Sequence, residues 1–160
     1  MKTLLLMRHA KSSKDSKAPD QERPLSKRGE KEAEKMADLL VEKKLFPNYL
    51  LASSARRSRE TAKPILSRIP GDLTFKTTQA LYMAEAPDIL SVVHSVDDGP
   101  DCLMIVGHNP GLESFLQYLS GEVESLPPAA IACLTLPVDA WRDLTLDIQA
   151  TQYEIWKPKK

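Results

Sequence analysis

This sequence predicts an α/β fold: a three-layer sandwich in which helices cover both faces of a mainly parallel central sheet. Two observations carry that expectation. Leu4-Leu5-Leu6-Met7 and Cys102-Leu103-Met104-Ile105-Val106 are continuous apolar runs, not alternating ones, which is the pattern of strands buried on both faces. Between them, Ala33, Met36, Ala37, Leu40 and Val41 stand at i, i+3, i+4, i+7 and i+8, the stripe of an amphipathic helix.

Taken in order, residues 4 to 7 form the first strand. A polar loop follows from residue 11 to 25, whose Lys, Ser, Asp and Pro content has no periodicity, and loops of this length are commonly functional. Ser26 is a suitable N-cap for the helix that carries the apolar stripe, and the other face of that helix is Lys and Glu. Residues 48 to 52 read as a second strand and residues 53 to 67 as a helix. Pro64 is expected to kink or divide that helix, because it cannot donate to the Glu60 carbonyl. A weaker strand spans residues 73 to 77. Residues 86 to 96 predict a helix with Pro87 in its first turn, where a missing N–H costs little, and Asp97-Asp98-Gly99-Pro100 reads as a turn. The apolar run 102 to 106 is a strand, followed by a helix over 110 to 119 with Asn109 as its N-cap. Residues 131 to 136 and 145 to 153 have strand character, and the tail from 157 to 160 is expected to fray. No repeat, low-complexity tract or linker interrupts the 160 residues, so one domain is expected.

Lysine and arginine total 22, and aspartate and glutamate total 22. No overall field therefore draws the chain to nucleic acid or to an anionic membrane, and neither partner is expected. Any bound anion must be held locally. The only two cysteines, Cys102 and Cys133, have no C-x-x-C spacing, which argues against a disulfide framework or a zinc site. They are expected as buried apolar fillers, in a reducing cytoplasm. The apolar start is cut short by Arg8, before a secretory core of roughly 7 to 15 residues or a membrane span of about 20 can form.

In open α/β sheets, ligands gather beyond the carboxyl ends of the strands. Arg8 and His9 follow the first strand directly, and Gly107-His108-Asn109-Pro110-Gly111 follows the 102 to 106 strand in the same way. His94, the third histidine, falls inside a helix and has no such placement. Either strand-end histidine alone reads as readily as a loop-edge structural residue. The pair, with Arg8 adjacent, points to chemistry. No H-x-x-x-H spacing, carboxylate cluster or cysteine cluster accompanies them, so neither a metal nor a cofactor is expected. Arg56, Arg57 and Arg59 open the helix after the second strand. Two of them suit a solvated face. The third, turned inward with Arg8, would form a phosphate cradle at a helix N-terminus.

These residues carry a resemblance. R-H-x near the N-terminus, S-x-x-x-R-x-x-x-T over Ser53, Arg57 and Thr61, and G-H-N-P-G late in the chain resemble the histidine phosphatase superfamily. Met7-Arg8-His9-Ala10-Lys11-Ser12, Arg23-Pro24-Leu25-Ser26, Leu81-Tyr82-Met83-Ala84 and Val106-Gly107-His108-Asn109-Pro110-Gly111 resemble its SixA-type phosphohistidine phosphatases, in order along nearly the whole chain. Ala10 stands where most members of the wider family have glycine, a change the SixA-type branch tolerates. The resemblance implies a phosphoglycerate mutase-like fold in a compact form without a large cap insertion.

It also implies roles. His9 matches the nucleophile, which becomes a phosphohistidine, and Arg8 and Arg57 match the phosphate-binding arginines. His108 matches the second histidine on the transferred phosphoryl group. Arg23 aligns near the pocket mouth as a substrate contact, with a simple pairing to Asp20 or Glu22 as the alternative. Glu85 is the nearest candidate for the general acid that phosphoglycerate mutases and many acid phosphatases use, although an imidazole leaving group needs less such help than an alkoxide. Residues 125 to 132 resemble the family's final block without an assignable role. Residues 86 to 103 leave little room for a cap, so the site is expected to be open. It would suit a histidine-phosphorylated protein, such as a phosphotransfer domain or a phosphocarrier. The alternatives are a small-molecule phosphomonoesterase on the same fold and a non-catalytic phosphate-binding module, which would need the arginines but not both histidines.

Overall fold

The structure is a computed structural model that describes residues 1 to 15 and 17 to 159. Residue 16 of the polar loop and residue 160 of the tail lie outside the described residues; 157 to 159 have no regular structure. Six strands form one sheet: β1 (Lys2–Arg8), β2 (Tyr49–Ser53), β3 (Thr74–Thr78), β4 (Cys102–Gly107), β5 (Ile131–Leu136) and β6 (Gln152–Trp156). Their order is β3-β2-β4-β1-β5-β6. The pairs β2·β3, β2·β4 and β1·β4 are parallel, while β5 pairs antiparallel with both β1 and β6.

The apolar run at the start of the chain is continuous because β1 is covered twice. Leu4 and Leu6 pack with Ile89 and Val93 of α3 (Ala86–His94) and with Leu112, Phe115 and Leu116 of α4 (Gly111–Ser120). Leu5 and Met7 pack on the other face with Met36 and Leu40 of α1 (Lys27–Glu42) and with Ile65 of α2 (Arg56–Arg68). All four β1 side chains are fully buried, each worth roughly 1.5–3 kcal/mol of apolar burial. The most strongly held strand thus carries Arg8 at its end.

Several expectations shift. Pro64 does not divide α2, which runs unbroken from Arg56 to Arg68. The buried Thr61, Ala62 and Ile65 dock the helix on the sheet and outweigh the single bond denied to the Glu60 carbonyl. Val41 is exposed on α1, since it lies about 80° round the helix from Ala33 and falls at the edge of the buried stripe. The N-cap of α4 is Pro110, not Asn109, whose Nδ2 donates instead to the Leu126 carbonyl at 2.9 Å. Residues 145 to 150 are irregular, and the last strand starts only at Gln152. The alternation there reflects Leu146, Ile148 and Ala150 packing against the core of the α3 and α4 face without sheet pairing. Cys102 and Cys133 are half-buried, and both are free. Among the described residues, no helix is long and apolar enough to cross a membrane.

The polar loop is closed at its base. The Ser26 N–H donates to the Lys11 carbonyl at 2.9 Å, the Ser13 N–H to the Pro24 carbonyl at 2.8 Å, and Ser12 bridges to Leu25. The Ser26 hydroxyl caps α1 by accepting from the Gly29 N–H at 3.0 Å. Gly29 permits this closure, because a Cβ there would meet the Lys11 carbonyl oxygen at 2.0 Å. Gly29→Ala is expected to lower stability by about 1–3 kcal/mol through this overlap, read as a shift of the urea midpoint without a change in slope.

Candidate active site

Strands β2, β4 and β1 lie side by side and parallel, with Ala52 opposite Val106 and Gly107 opposite Arg8. Their carboxyl ends therefore form one ledge, which carries Ser53, His108, Arg8 and His9. Helix α2 follows β2 closely and brings Arg57 to the same place, 3% exposed. Thr61, one turn further along α2, ties the helix to the ledge: its hydroxyl accepts from the Ala10 N–H at 2.9 Å and donates to the Arg57 carbonyl at 2.7 Å. The four-residue spacing of Arg57 and Thr61 puts both on one face of the helix.

Hydrogen bonding defines the histidine tautomers. His9 Nδ1 is 2.7 Å from the Ala10 carbonyl, which can only accept, so Nδ1 carries the proton. Its Nε2 is left with a lone pair, toward which Arg57 Nε–H points at 3.4 Å. Arg57 Nη2 is 3.5 Å from His108 Nδ1; a guanidinium has only donors, so that nitrogen is the acceptor. His108 Nε2–H then donates to the Ser53 hydroxyl at 2.7 Å, while the same oxygen accepts from the Ala55 N–H at 3.2 Å. The two imidazoles are 5.2 Å apart, and Tyr82 stands edge-on to His108 at 5.5 Å.

Arg8 is braced from a distant part of the chain. Its Nη1 donates to the Leu126 carbonyl at 3.2 Å, and its backbone N–H donates to the Ala130 carbonyl at 3.2 Å. The Ala129 N–H is shared between the Arg8 and His9 carbonyls at 3.1 and 3.3 Å. Segment 125 to 132, which has no role assignable from sequence, thus holds the Arg8–His9 backbone in place. Arg8 Nε is buried without a protein partner among the described residues.

Asp20, absent from the sequence candidates, is the carboxylate bonded into this group. Its Oδ2 accepts from Arg57 Nη2 at 3.1 Å and from the Tyr82 hydroxyl, its carbonyl from Arg57 Nη1 at 2.8 Å, and its Oδ1 from Arg23 Nη2 at 3.2 Å. Arg23 therefore makes the Asp20 pairing that was its alternative role, while standing close enough for its charge to bear on His9. Glu85 is not brought into the group. It is the exposed N-cap of α3, with its N–H bonded to Asp88 Oδ2 at 3.0 Å. Arg56 pairs with Glu60 at 3.2 Å and Arg59 Nε donates to the Ser54 carbonyl at 3.1 Å, which leaves Arg57 as the inward member of the three. His94 Nε2 meets the Leu144 carbonyl at 2.7 Å, far along the chain from the ledge.

Burial is the main reason both site histidines resist protonation. It pushes His9 down to about 4, aided by the charges of Arg57, Arg8 and Arg23 against the favourable Ala10 contact. It pushes His108 down to about 3, aided by His9 and Arg57. Both rings are neutral at pH 7. The Tyr82 hydrogen bond, and then Arg57, hold the Asp20 carboxyl below its usual range, so it is ionised. Among the described residues, no three His, Cys, Asp or Glu side chains are grouped to hold a metal.

The histidine phosphatase superfamily (branch 1) matches residues 4 to 82 of the chain. An uncharacterised chloroplastic protein of Arabidopsis thaliana is 33% identical over 150 residues, covering 88% of this chain and 69% of that protein. A solved structure of a candidate phosphohistidine phosphatase SixA from Agrobacterium tumefaciens is 28% identical, with a TM-score of 0.77 over 83% of this chain and 90% of that one. Another, from Nakamurella multipartitia, shares the fold with a TM-score of 0.85 over 98% of this chain and 96% of its own at 23% identity. The order of the motifs, the strand ends that carry them and these relatives agree: the chain belongs to the histidine phosphatase superfamily and is of SixA type.

Proposed function

We propose that this phosphatase removes phosphoryl groups from histidine side chains of proteins through a covalent phosphohistidine on His9. The observation that carries the reading is the His9 tautomer. With Nδ1–H committed to the Ala10 carbonyl at 2.7 Å, Nε2 keeps its lone pair, engaged only by the long 3.4 Å contact from Arg57 Nε–H. A neutral imidazole needs no deprotonation before it attacks. In the first step, a bond forms between His9 Nε2 and phosphorus, and the bond from phosphorus to the substrate ring nitrogen breaks. Its electron pair returns to that nitrogen, and the ring, protonated on its other nitrogen, leaves as neutral imidazole. In the second step, water attacks the phosphorus, the pair returns to His9 Nε2, and inorganic phosphate leaves.

Positive charge for the phosphoryl oxygens comes from Arg57 and from Arg8, whose Nε has no protein partner among the described residues. The reaction as proposed runs without a metal or cofactor. Transfer from one imidazole to another is close to balanced in energy, so no carboxylic acid is required, in keeping with Glu85 acting as an exposed helix cap. A protein substrate is supported by the exposure of Asp20, which bonds Arg57 from the rim of the group. Helix α3, which fills the segment between the Leu81 block and β4, packs with α4 on the sheet and not over the histidines. Asp20 at the mouth is 50% exposed. Two free cysteines suit a cytoplasmic setting.

Phosphate release from a histidine-phosphorylated phosphotransfer domain or phosphocarrier, without added metal, tests this directly. His9→Ala is expected to lose at least about 10³-fold in rate, and Arg57→Ala or His108→Ala about 10²–10³-fold. Undiminished release by His9→Ala overturns the reading. In nitrogen-15 NMR of the imidazoles, His9 is expected to stay in the Nδ1–H form from pH 8 to 5 and to charge only near about 4. Ser53→Ala removes the acceptor of a buried N–H and is expected to cost about tenfold in kcat, while Ser53→Thr, which keeps the hydroxyl, restores most of it.

A further inference from the structure

The bonds of Arg57 divide into two sets. Asp20 takes two short ones, Nη1–H to its carbonyl at 2.8 Å and Nη2–H to its Oδ2 at 3.1 Å. The contacts to His9 Nε2 and His108 Nδ1 are long, at 3.4 and 3.5 Å. A guanidinium has five N–H donors in a fixed fork. A phosphoryl oxygen arriving between the histidines can take over the two long contacts, and the two bonds to Asp20 can remain. Asp20 is thus not a plug that substrate must expel. It is a fixed carboxylate beside the phosphoryl seat, and it sits at the far end of the guanidinium from the attacking nitrogen.

That position has a consequence for the leaving group. In-line displacement puts the departing atom on the side of phosphorus opposite His9. A phosphohistidine ring there carries phosphorus on one nitrogen and, when protonated, a proton on the other. Such a ring leaves as neutral imidazole: the P–N electron pair returns to the first nitrogen, and the proton never moves. A phosphate ester of an ordinary alcohol leaves as an alkoxide and needs a proton from an acid.

We propose that Asp20 is a specificity-determining residue, whose carboxylate accepts the ring N–H of a phosphohistidine substrate and so selects phosphoimidazoles over phosphate esters. This rests on the phosphohistidine reading above. The groups that face Asp20 are Arg57 from α2, Arg23 from its own loop and Tyr82 from the turn before α3, with His108 of the β4 end in electrostatic reach. All three hydrogen-bonded neighbours donate to it and favour its ionised form. An ionised carboxylate favours the protonated substrate ring, and it has no proton to give an alkoxide.

Wild type, Asp20→Asn and His9→Ala are compared on a histidine-phosphorylated peptide and on p-nitrophenyl phosphate, whose nitrophenolate leaves without a proton. Loss of a charge-assisted hydrogen bond predicts that Asp20→Asn lowers kcat/KM for the peptide at least about tenfold. The ester has no ring N–H to present and shares only the part of the loss that comes through the hold on Arg57, so the ratio of peptide to ester kcat/KM falls about tenfold. The alkaline fall in peptide kcat/KM also begins at lower pH in the variant, since the ring loses the anion that kept it protonated. Equal loss on both substrates would reduce Asp20 to a brace for Arg57, and equal gain would make it an obstruction; either overturns the proposal. A wild type that cleaves the ester in a His9-dependent way but leaves the peptide intact overturns the phosphohistidine reading itself. That failure is visible before any Asp20 variant is measured.

Discussion

Arg57 is a permanent positive charge at 3% exposure, and the arrangement of the site follows from compensating it. A buried charge without partners is among the costliest features a fold can carry. Here the compensation comes from three parts of the chain: the Asp20 carbonyl and carboxylate in the polar loop, His9 after β1, and His108 after β4. The loop is pulled down onto the strand ends because it brings the only carboxylate bonded to that guanidinium among the described residues. Loop closure, histidine placement and charge compensation are therefore one problem with one solution.

The strand ends supply the rigidity that such a site needs. β1 is buried on both faces, and its last residue is locked from two directions, by β4 on one edge and by the 129 to 130 backbone on the other. Arg8 and His9 are consequently held by backbone bonds before their side chains make any contact. The Leu126 carbonyl accepts from both Arg8 and Asn109, and the Leu126 N–H donates to Glu113 of α4 at 2.7 Å. A segment remote in sequence thus couples the β1 end to the β4 end. Asn109 serves this coupling, which explains why it does not cap α4.

The parts of this structure legible in the sequence are those that repeat a local rule. Continuous apolar runs mark β1 and β4, helical spacing marks α1, and the positions of Arg8, His9 and His108 follow from the strands that end there. Arg57 is distinguishable from Arg56 and Arg59 only through the Thr61 spacing, which the structure explains as one turn of helix with a bond at each end. What escapes is non-local. Asp20 belongs to an aperiodic loop, and only closure through Lys11, Pro24 and Ser26 brings it over Arg57. Tyr82 stands in a motif that says nothing of where its hydroxyl points. Ser53 lies inside the S-x-x-x-R-x-x-x-T pattern, yet its bond to His108 crosses 55 residues of sequence. Glu85, a carboxylate near the right motif, stands exposed as the N-cap residue of α3, and its own N–H is taken by Asp88.

The chemistry asked of the histidines is set against the stability of the fold. An unfolded imidazole titrates near 6.5, whereas burial holds His9 at about 4 and His108 at about 3 in the folded chain. Between those values the unfolded state binds more protons, so stability is fully present above about pH 6.5 and is lost progressively as pH falls through the folded values. A phosphoryl dianion in the site would oppose this shift, because its charge favours the imidazolium forms that burial and the nearby arginines disfavour. The same burial that keeps both rings neutral at pH 7 thus makes the fold acid-sensitive. Burial comes first in both shifts and the neighbouring charges after it, so the acid sensitivity belongs to the packing of the whole ledge and not to Arg57 alone.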